Sequence, residues 1–183
     1  PLLSICLVVS FYILSGCTFI SSSDDFSMSS DRRKTDVVLM DHSLELRAQK
    51  IISSIPELSS SRIRVHSFNG HILLLGQTDS EDNLHLLTQK VSELPGARKI
   101  FNQVTLEPTL GPIEWFKDRL IYSKIKTSMI GSQGINPLRI QVFTEKKVVY
   151  LVGIVYDQEE KTAGTIAENI RGVDKVVKVF ERI

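Results

Sequence analysis

The feature that most constrains this chain is an internal repeat. Residues 63–76 match residues 140–153 in their apolar positions and closing glycine, at an offset of 77 residues. Residues 94–100 match residues 170–176 at an offset of 76, so the second copy is one residue shorter between the two matching segments. Self-similarity of this kind predicts two copies of one compact domain rather than a single continuous core.

Each copy contains the same predicted elements: a helix, two strands joined by a tight turn, a second helix and a last strand. Asn69-Gly70 is a strong signal for a two-residue hairpin turn, whereas the corresponding Lys146-Lys147 must use another turn or accept strain. Asp79 or Ser80 is expected to cap the second helix of copy one, and Asp157 that of copy two. The first helices are predicted over residues 43–55 and 113–130, and the last strands over residues 99–106 and 175–180.

These motifs resemble the BON domain of bacterial envelope proteins. The resemblance extends over residues 43–107 and 116–183 and is carried by residues 69–76, 95–97, 148–153 and 172–176. It implies an α+β fold of two tandem BON domains, each α-β-β-α-β, with a three-stranded mixed sheet and two helices packed on one face. It also implies lipid contact, because BON domains are generally regarded as phospholipid-binding modules. The whole is similar to the dual-BON outer-membrane lipoproteins that support envelope integrity.

The N-terminus is typical of an exported lipoprotein. Residues 2–14 are almost wholly apolar, which is shorter than the roughly 20 residues of a spanning helix and suits a signal peptide. Leu14-Ser15-Gly16-Cys17 resembles a bacterial lipobox, which implies cleavage before Cys17 and acylation of that residue. Thr18 after the cysteine resembles the outer-membrane sorting signal of enterobacterial lipoproteins. The alternatives are an ordinary signal peptide or a hydrophobic anchor with a chance cysteine.

The chain therefore divides into four predicted parts. Residues 1–16 are a signal peptide and residues 17–40 are a lipidated cysteine with a flexible Ser/Asp-rich tether. Residues 41–108 and 109–183 are the first and second BON domains. Arg32-Arg33-Lys34 in the tether is expected to be a solvated charge run, with contact to acidic headgroups as the alternative.

The sequence indicates no catalytic, metal or cofactor site. Both cysteines, Cys6 and Cys17, precede the predicted domains, so the folded part has no thiol. Neither a metal-binding pair of histidines nor a nucleophile or nucleotide motif is recognisable. A formal net charge of +1 gives no case for nucleic-acid binding. We therefore expect a protein that is not an enzyme and has no cofactor.

The first helix of copy two carries more apolar residues than one core face can bury. At 100° per residue, Ile121, Tyr122, Ile125 and Met129 share the expected core face. A second group of apolar and basic residues lies away from that face: Trp115, Phe116, Leu120, Lys117, Arg119 and Lys124. Three interpretations stay open for Trp115 and Phe116, namely packing against the first domain, contact with lipid, or contact with another protein.

The favoured hypothesis is a non-enzymatic lipoprotein anchored at the periplasmic face of the outer membrane. Its second BON domain would bind anionic phospholipid through those six residues and support envelope integrity. Residues 109–183 contain 12 basic against 9 acidic residues, whereas residues 41–108 contain 7 against 8, which favours the second domain. The alternative is a periplasmic chaperone or assembly adaptor that holds an envelope protein partner. An ion-sensing module is a weaker third option, because no loop of acidic oxygen ligands is recognisable.

Overall fold

The computed structural model describes residues 31–183. The predicted signal peptide and the acylation of Cys17 lie outside the described residues. Copy one consists of helix α1 (Thr35–Ser53), a short 3-10 helix (Pro56–Leu58), strands β1 (Arg62–Phe68) and β2 (His71–Thr78), helix α2 (Glu81–Ser92) and strand β3 (Lys99–Leu106). Copy two consists of helix α3 (Pro112–Ile130), strands β4 (Ile140–Glu145) and β5 (Val148–Val155), helix α4 (Asp157–Glu168) and strand β6 (Lys175–Arg182). The predicted order α-β-β-α-β is confirmed in both copies.

Each copy contains a three-stranded mixed sheet, as predicted. The order is β1-β2-β3 in one sheet and β4-β5-β6 in the other. In each sheet the hairpin strands pair antiparallel and the last strand joins the central one in parallel. The closing glycines occupy the same place in both hairpins, since Gly76 pairs with Ile63 and Gly153 pairs with Ile140. The repeat in sequence is therefore a repeat in strand register.

Two helices cover one face of each sheet and enclose a separate core. In copy one, Ala48 of α1 and Leu87 of α2 are fully buried with Leu74 of the central strand. In copy two, Ile125 of α3 is fully buried with Leu151 of the central strand. Burying one such side chain stabilises a fold by roughly 1.5–3 kcal/mol, so each copy has an apolar core of its own.

The opposite faces of the two sheets pack against each other. A third apolar cluster joins them, and it comprises Phe68, Leu73, Leu75, Tyr150, Val152 and Val179. The molecule is therefore built in four layers, with helices on both outsides and two sheets in the middle. The central strands are apolar on both faces because both faces are buried, one by helices and one by the other sheet. This packing joins the two domains.

The segment before α1 is more ordered than the predicted tether. Helix α1 begins at Thr35 instead of residue 43, so residues 35–40 belong to the domain. The side chain of Arg33 is only 5% exposed and pairs with Asp31 and Asp41. Arg32 donates to Glu159 in the second domain, at 2.6 Å. The prediction of a solvated or lipid-bound charge run is wrong for both arginines, because buried carboxylates of the fold bind them.

A buried aspartate supports each hairpin turn. Lys146 and Lys147 adopt φ values of 49° and 61°, the same left-handed region as Asn69 and Gly70, so copy two accepts the strain. Asp118 of α3 accepts the N–H groups of Lys146 and Lys147 at 2.8 and 2.7 Å. Asp41 of α1, 77 positions earlier, accepts those of the first turn in the same way. In copy two, the bonds to Asp118 stabilise a turn whose left-handed conformation is unfavourable for Lys146 and Lys147.

The second helices begin differently in the two copies. Ser80 precedes α2 and its hydroxyl accepts the N–H of Asn83 at 3.5 Å, which confirms one of the two predicted caps. Tyr156 instead of Asp157 is the residue before α4. Glu159 accepts the N–H of Tyr156 at 2.9 Å, so a side chain in the first turn binds the backbone before the helix, and the predicted cap at Asp157 is wrong because Asp157 lies inside α4.

His66 lies at the junction of the two sheets. Its environment makes the free energy of unfolding depend on pH. Its ring stacks on Phe143 with centroids 3.8 Å apart. Burial, and to a lesser extent the neighbouring Arg64, lowers the pKa of His66 from 6.5 to about 4. Because the folded state holds the neutral ring, this contribution to stability is complete above the unfolded pKa of 6.5. It is lost as the pH falls to about 4.

We expect the loss to reach about 3 kcal/mol of unfolding free energy between pH 7 and pH 4, from the difference between the two pKa values. Urea unfolding at both pH values, in the wild type and in His66→Gln, measures it as the difference between the two proteins. His85→Gln, at an exposed position on α2, is the matched control. An identical pH dependence in wild type and His66→Gln would contradict the prediction.

Candidate functional site

Helix α3 buries one face and leaves the opposite face open. Ile121, Ile125 and Met129 point into the core as predicted. On the other side, Phe116 is 56% exposed and Leu120 is 45% exposed. We call this side the α3 outer surface and define it as Ile113, Phe116, Lys117, Leu120 and Lys124, all of them exposed. Their spacing of three, four and seven residues places three apolar and two basic side chains on one stripe.

A second group lies on the flank of α3. Trp115 is 48% exposed, and the guanidinium of Arg119 lies 5.8 Å from the centre of its ring, within the range of a cation–π contact. Tyr122 is also exposed there, so its predicted place in the core is wrong. Tyr122 lies at the edge of the buried stripe of α3. The buried residues of that helix are Ile121, Ile125, Met129 and Asp118, which binds the turn at Lys146-Lys147. The six predicted site residues are thus split between the outer surface and this flank.

The flank forms one wall of a groove between the two domains. We call it the interdomain groove; its volume is about 250 Å³. Its walls comprise Trp115, Asp118, Arg119 and Tyr122 of α3, Arg62 and Arg64 of β1, and Val142, Phe143 and Thr144 of β4. Two arginines from the first domain therefore face an arginine and three aromatic rings from the second.

A buried carboxylate holds two of these arginines. Glu145, at the end of β4, pairs with both Arg62 and Arg64. It also accepts the side-chain amide of Gln77 at 2.6 Å. Arg64 donates in addition to the backbone carbonyl of Thr144 at 2.9 Å. Because Glu145 belongs to the second domain and its three partners to the first, this cluster fixes the two domains at the groove.

Arg62 and Arg64 are not among the site residues predicted from sequence. The signal was present, since residues at every second position of β1 share a face and Ile63 and Val65 point to the core. The arginines therefore had to lie on the opposite face with His66. That face of β1 packs against the second domain, whose Glu145 lies about 80 residues later in the chain. The local sequence pattern does not predict a contact between residues so far apart.

Helix α1 also exposes apolar residues, but its charges differ from those of α3. Leu39 and Leu46 are exposed. The position equivalent to the basic Lys117 is Met40, and the position equivalent to the apolar Ile113 is Asp36. The equivalent stripe of α1 has one basic residue, Arg47, and also the acidic Asp36, whereas the stripe on α3 has two basic residues and no acid.

Within residues 31–183, no three His, Cys, Asp or Glu side chains are placed to hold a metal ion. No helix in that part of the chain combines the length and apolar character needed to cross a bilayer.

A family model for the BON domain matches residues 41–108 and 117–182. These two segments make up most of the chain, and the chain belongs to the BON domain family, with two domains in tandem. Neither this family nor the relatives described next are known enzymes.

The chain is similar to two bacterial proteins over most of its length. It is 26% identical over 155 residues to "Outer membrane lipoprotein DolP" of Haemophilus influenzae, which covers 84% of this chain and 80% of that protein. It is 26% identical over 160 residues to "21 kDa hemolysin" of Actinobacillus pleuropneumoniae, which covers 87% and 82%. These similarities support the resemblance to dual BON-domain outer-membrane lipoproteins and a location in the cell envelope.

Among solved structures, the C-terminal domain of CdsD, a structural protein of the type III secretion system of Chlamydia trachomatis, is 14% identical with a TM-score of 0.30. The match covers 77% of this chain and 67% of that one, and a likeness of this level bears on neither fold nor function.

Proposed function

We propose that this chain is a non-enzymatic lipoprotein, anchored by an acylated Cys17 at the periplasmic face of the outer membrane, whose second BON domain binds anionic phospholipid and supports envelope integrity. The observation that carries the proposal is the α3 outer surface, where Phe116 and Leu120 are exposed beside Lys117 and Lys124. Exposed apolar side chains bordered by basic residues on one helix face suit the boundary between headgroups and acyl chains.

The energies of these groups suffice for binding when an anchor holds the protein nearby. Moving an exposed large apolar side chain out of water is worth about 1.5–3 kcal/mol. Each basic residue near an acidic membrane adds roughly 1 kcal/mol. Phe116, Leu120, Lys117 and Lys124 together give an affinity that is weak for a free protein. An acyl anchor would raise the local concentration of lipid and make this affinity effective.

Charge favours the second domain over the first for this role. The stripe on α3 combines Ile113 with Lys117, whereas the equivalent positions of α1 carry an acid and a methionine. An acidic side chain at the contact would be repelled by anionic headgroups. The exposed Leu39 and Leu46 of α1 therefore serve as controls of equal apolar character.

Co-sedimentation with vesicles tests the lipid site. We expect residues 18–183, which contain the whole described fold, to bind vesicles of phosphatidylcholine and phosphatidylglycerol more tightly than vesicles of phosphatidylcholine alone. Phe116→Ala with Leu120→Ala should weaken binding at least about 10-fold, since each truncation removes apolar contact area. The matched control, Leu39→Ala with Leu46→Ala, should change binding less than about 2-fold.

Equal weakening by both double variants would refute the specific surface. Absence of binding to either vesicle, together with suppression of the aggregation of an unfolded client, would favour the chaperone alternative. The anchor is tested separately in the full chain, where mass spectrometry of the N-terminal peptide should find acyl chains on Cys17. An unmodified thiol there would remove the anchor from the proposal.

A further inference from the structure

We propose that the interdomain groove binds the phosphate group of an anionic phospholipid headgroup, with Arg62, Arg64 and Arg119 as its cationic ligands. The inference rests on the proposed function in one respect, since both place acidic phospholipid against α3. The groove would be a separate site for the headgroup, beside the α3 outer surface that contacts the acyl chains. It would also give Arg62 and Arg64 of the first domain a role in lipid recognition.

Charge in the groove favours an anion. Three guanidinium groups face it, and Glu145 is shared by two of them, Arg62 and Arg64. Within residues 31–183 no carboxylate pairs with Arg119, whose contact is the ring of Trp115. The other acid at the groove, Asp118, directs both oxygens to the N–H groups of the second turn. Positive charge is therefore left in excess where the ligand would lie.

The groove also contains polar atoms that the protein leaves without partners. Among the described residues, the Nε of Arg64 and the hydroxyl of Thr144 are buried and make no hydrogen bond. Thr144 is only 7% exposed. In the first copy the equivalent hydroxyl, that of Ser67, donates to Asp41 at 2.9 Å. Buried polar groups in native proteins are nearly always satisfied, so these two indicate donors reserved for a ligand or for water that it would replace.

The size and walls of the groove suit a headgroup rather than a whole lipid. Its volume of about 250 Å³ lies below the roughly 300–1,000 Å³ of pockets that enclose a drug-sized molecule. Trp115 and Tyr122 line one side and give the glycerol portion an apolar wall. Guanidinium groups bind phosphate oxygens through paired hydrogen bonds, which makes arginine the expected residue for this task.

Trp115 provides the readout, because it is the chain's single tryptophan and lines the groove. Residues 18–183 are titrated with dihexanoyl phosphatidylglycerol below its micelle concentration, and in parallel with inorganic phosphate. We expect a saturable change of tryptophan fluorescence with the lipid, at a lower concentration than with phosphate. Arg119→Gln should weaken binding of the soluble lipid about 10-fold, as expected for the loss of a charge-assisted hydrogen bond. Lys161→Gln, at an exposed position on α4 away from the groove, should change it less than about 2-fold.

Arg62→Gln is a second test from the other domain and should give a similar loss, with circular dichroism to verify folding. Phe116→Ala with Leu120→Ala should reduce vesicle binding by a larger factor than it reduces binding of the soluble lipid. No saturable change with either probe, alongside retained vesicle binding, would overturn the groove and leave the proposed function standing. Equal affinity for inorganic phosphate and for the lipid would overturn the assignment to a lipid headgroup.

Discussion

Replacing Gly76 with alanine is expected to lower the free energy of unfolding by about 3–5 kcal/mol, a large part of the 5–15 kcal/mol typical of a domain. Gly76 has a φ of +133°, a conformation that L-residues with a side chain rarely adopt. A Cβ atom there would lie 1.8 Å from the backbone oxygen of Arg62 on the neighbouring strand. Since the backbone of β2 fixes the position of this Cβ and the oxygen belongs to the backbone of β1, the clash can be relieved only by separating β1 from β2.

Urea unfolding measures the effect, and two further glycines give a graded comparison. A Cβ on Gly153, the equivalent position in copy two, would lie 2.6 Å from the carbonyl oxygen of Arg139 without a positive φ, so Gly153→Ala should cost less. A Cβ on Gly131 would come no nearer than 3.9 Å to another atom, so Gly131→Ala should be nearly neutral. Equal stability of the three variants would contradict the account of the hairpin.

The fold of each copy could be predicted because its signals are local and occur twice. Alternation around Ile63 and Val65, a turn at Asn69-Gly70 and a closing Gly76 each specify a short piece of backbone. The second copy repeats these signals, and agreement between two copies excludes chance more strongly than either copy alone. The equivalent aspartates, Asp41 and Asp118, obey the same offset and were overlooked because neither belongs to an apolar pattern.

The packing of the two sheets could not be predicted in the same way. Leu73 and Leu75 show that the second face of β2 must be covered, but they do not show by what. The partner strand β5 lies more than 70 residues away, and a membrane, a second molecule or the other domain would satisfy the same pattern. The contacts of the segment before α1 could not be predicted for the same reason. Arg32 pairs with Glu159 of the second domain, so this ion pair depends on the packing of the two domains.

Part of the candidate site followed from the helix alone. The angular positions of Phe116 and Leu120 required them to lie away from the core, and both are exposed. Tyr122 was misplaced because its angle falls close to the buried stripe, where an angle alone does not decide burial. Arg62 and Arg64 join the site through contacts between domains. Only the α3 outer surface could therefore be predicted from sequence, because its residues belong to a single helix.

Removing the carboxylate of Asp41 is expected to destabilise the protein more than removing that of Asp118, although the two occupy equivalent positions. Asp41 is buried and accepts four hydrogen bonds, from the N–H groups of Asn69 and Gly70 at 2.6 and 2.7 Å, from the Ser67 hydroxyl at 2.9 Å and from the Arg33 guanidinium at 2.8 Å. Asp41→Ala leaves the guanidinium of Arg33 buried with only the partly exposed Asp31 as its counter-charge. The loss of one partner from a buried ion pair costs about 3–5 kcal/mol.

Among residues 31–183, Asp118 binds two groups, the backbone N–H groups of its turn. Asp118→Ala frees Lys146 and Lys147 to relax from their left-handed conformations and to bind water, so we expect a loss of about 1–3 kcal/mol. Asp82→Ala, at an exposed position in the first turn of α2, should cost less than about 1 kcal/mol and controls for the removal of a carboxylate. Urea unfolding of the three variants should rank them in this order. A loss for Asp41→Ala no larger than that for Asp118→Ala would mean that Arg33 contributes nothing to the fold, and the segment before α1 would then be a tether after all.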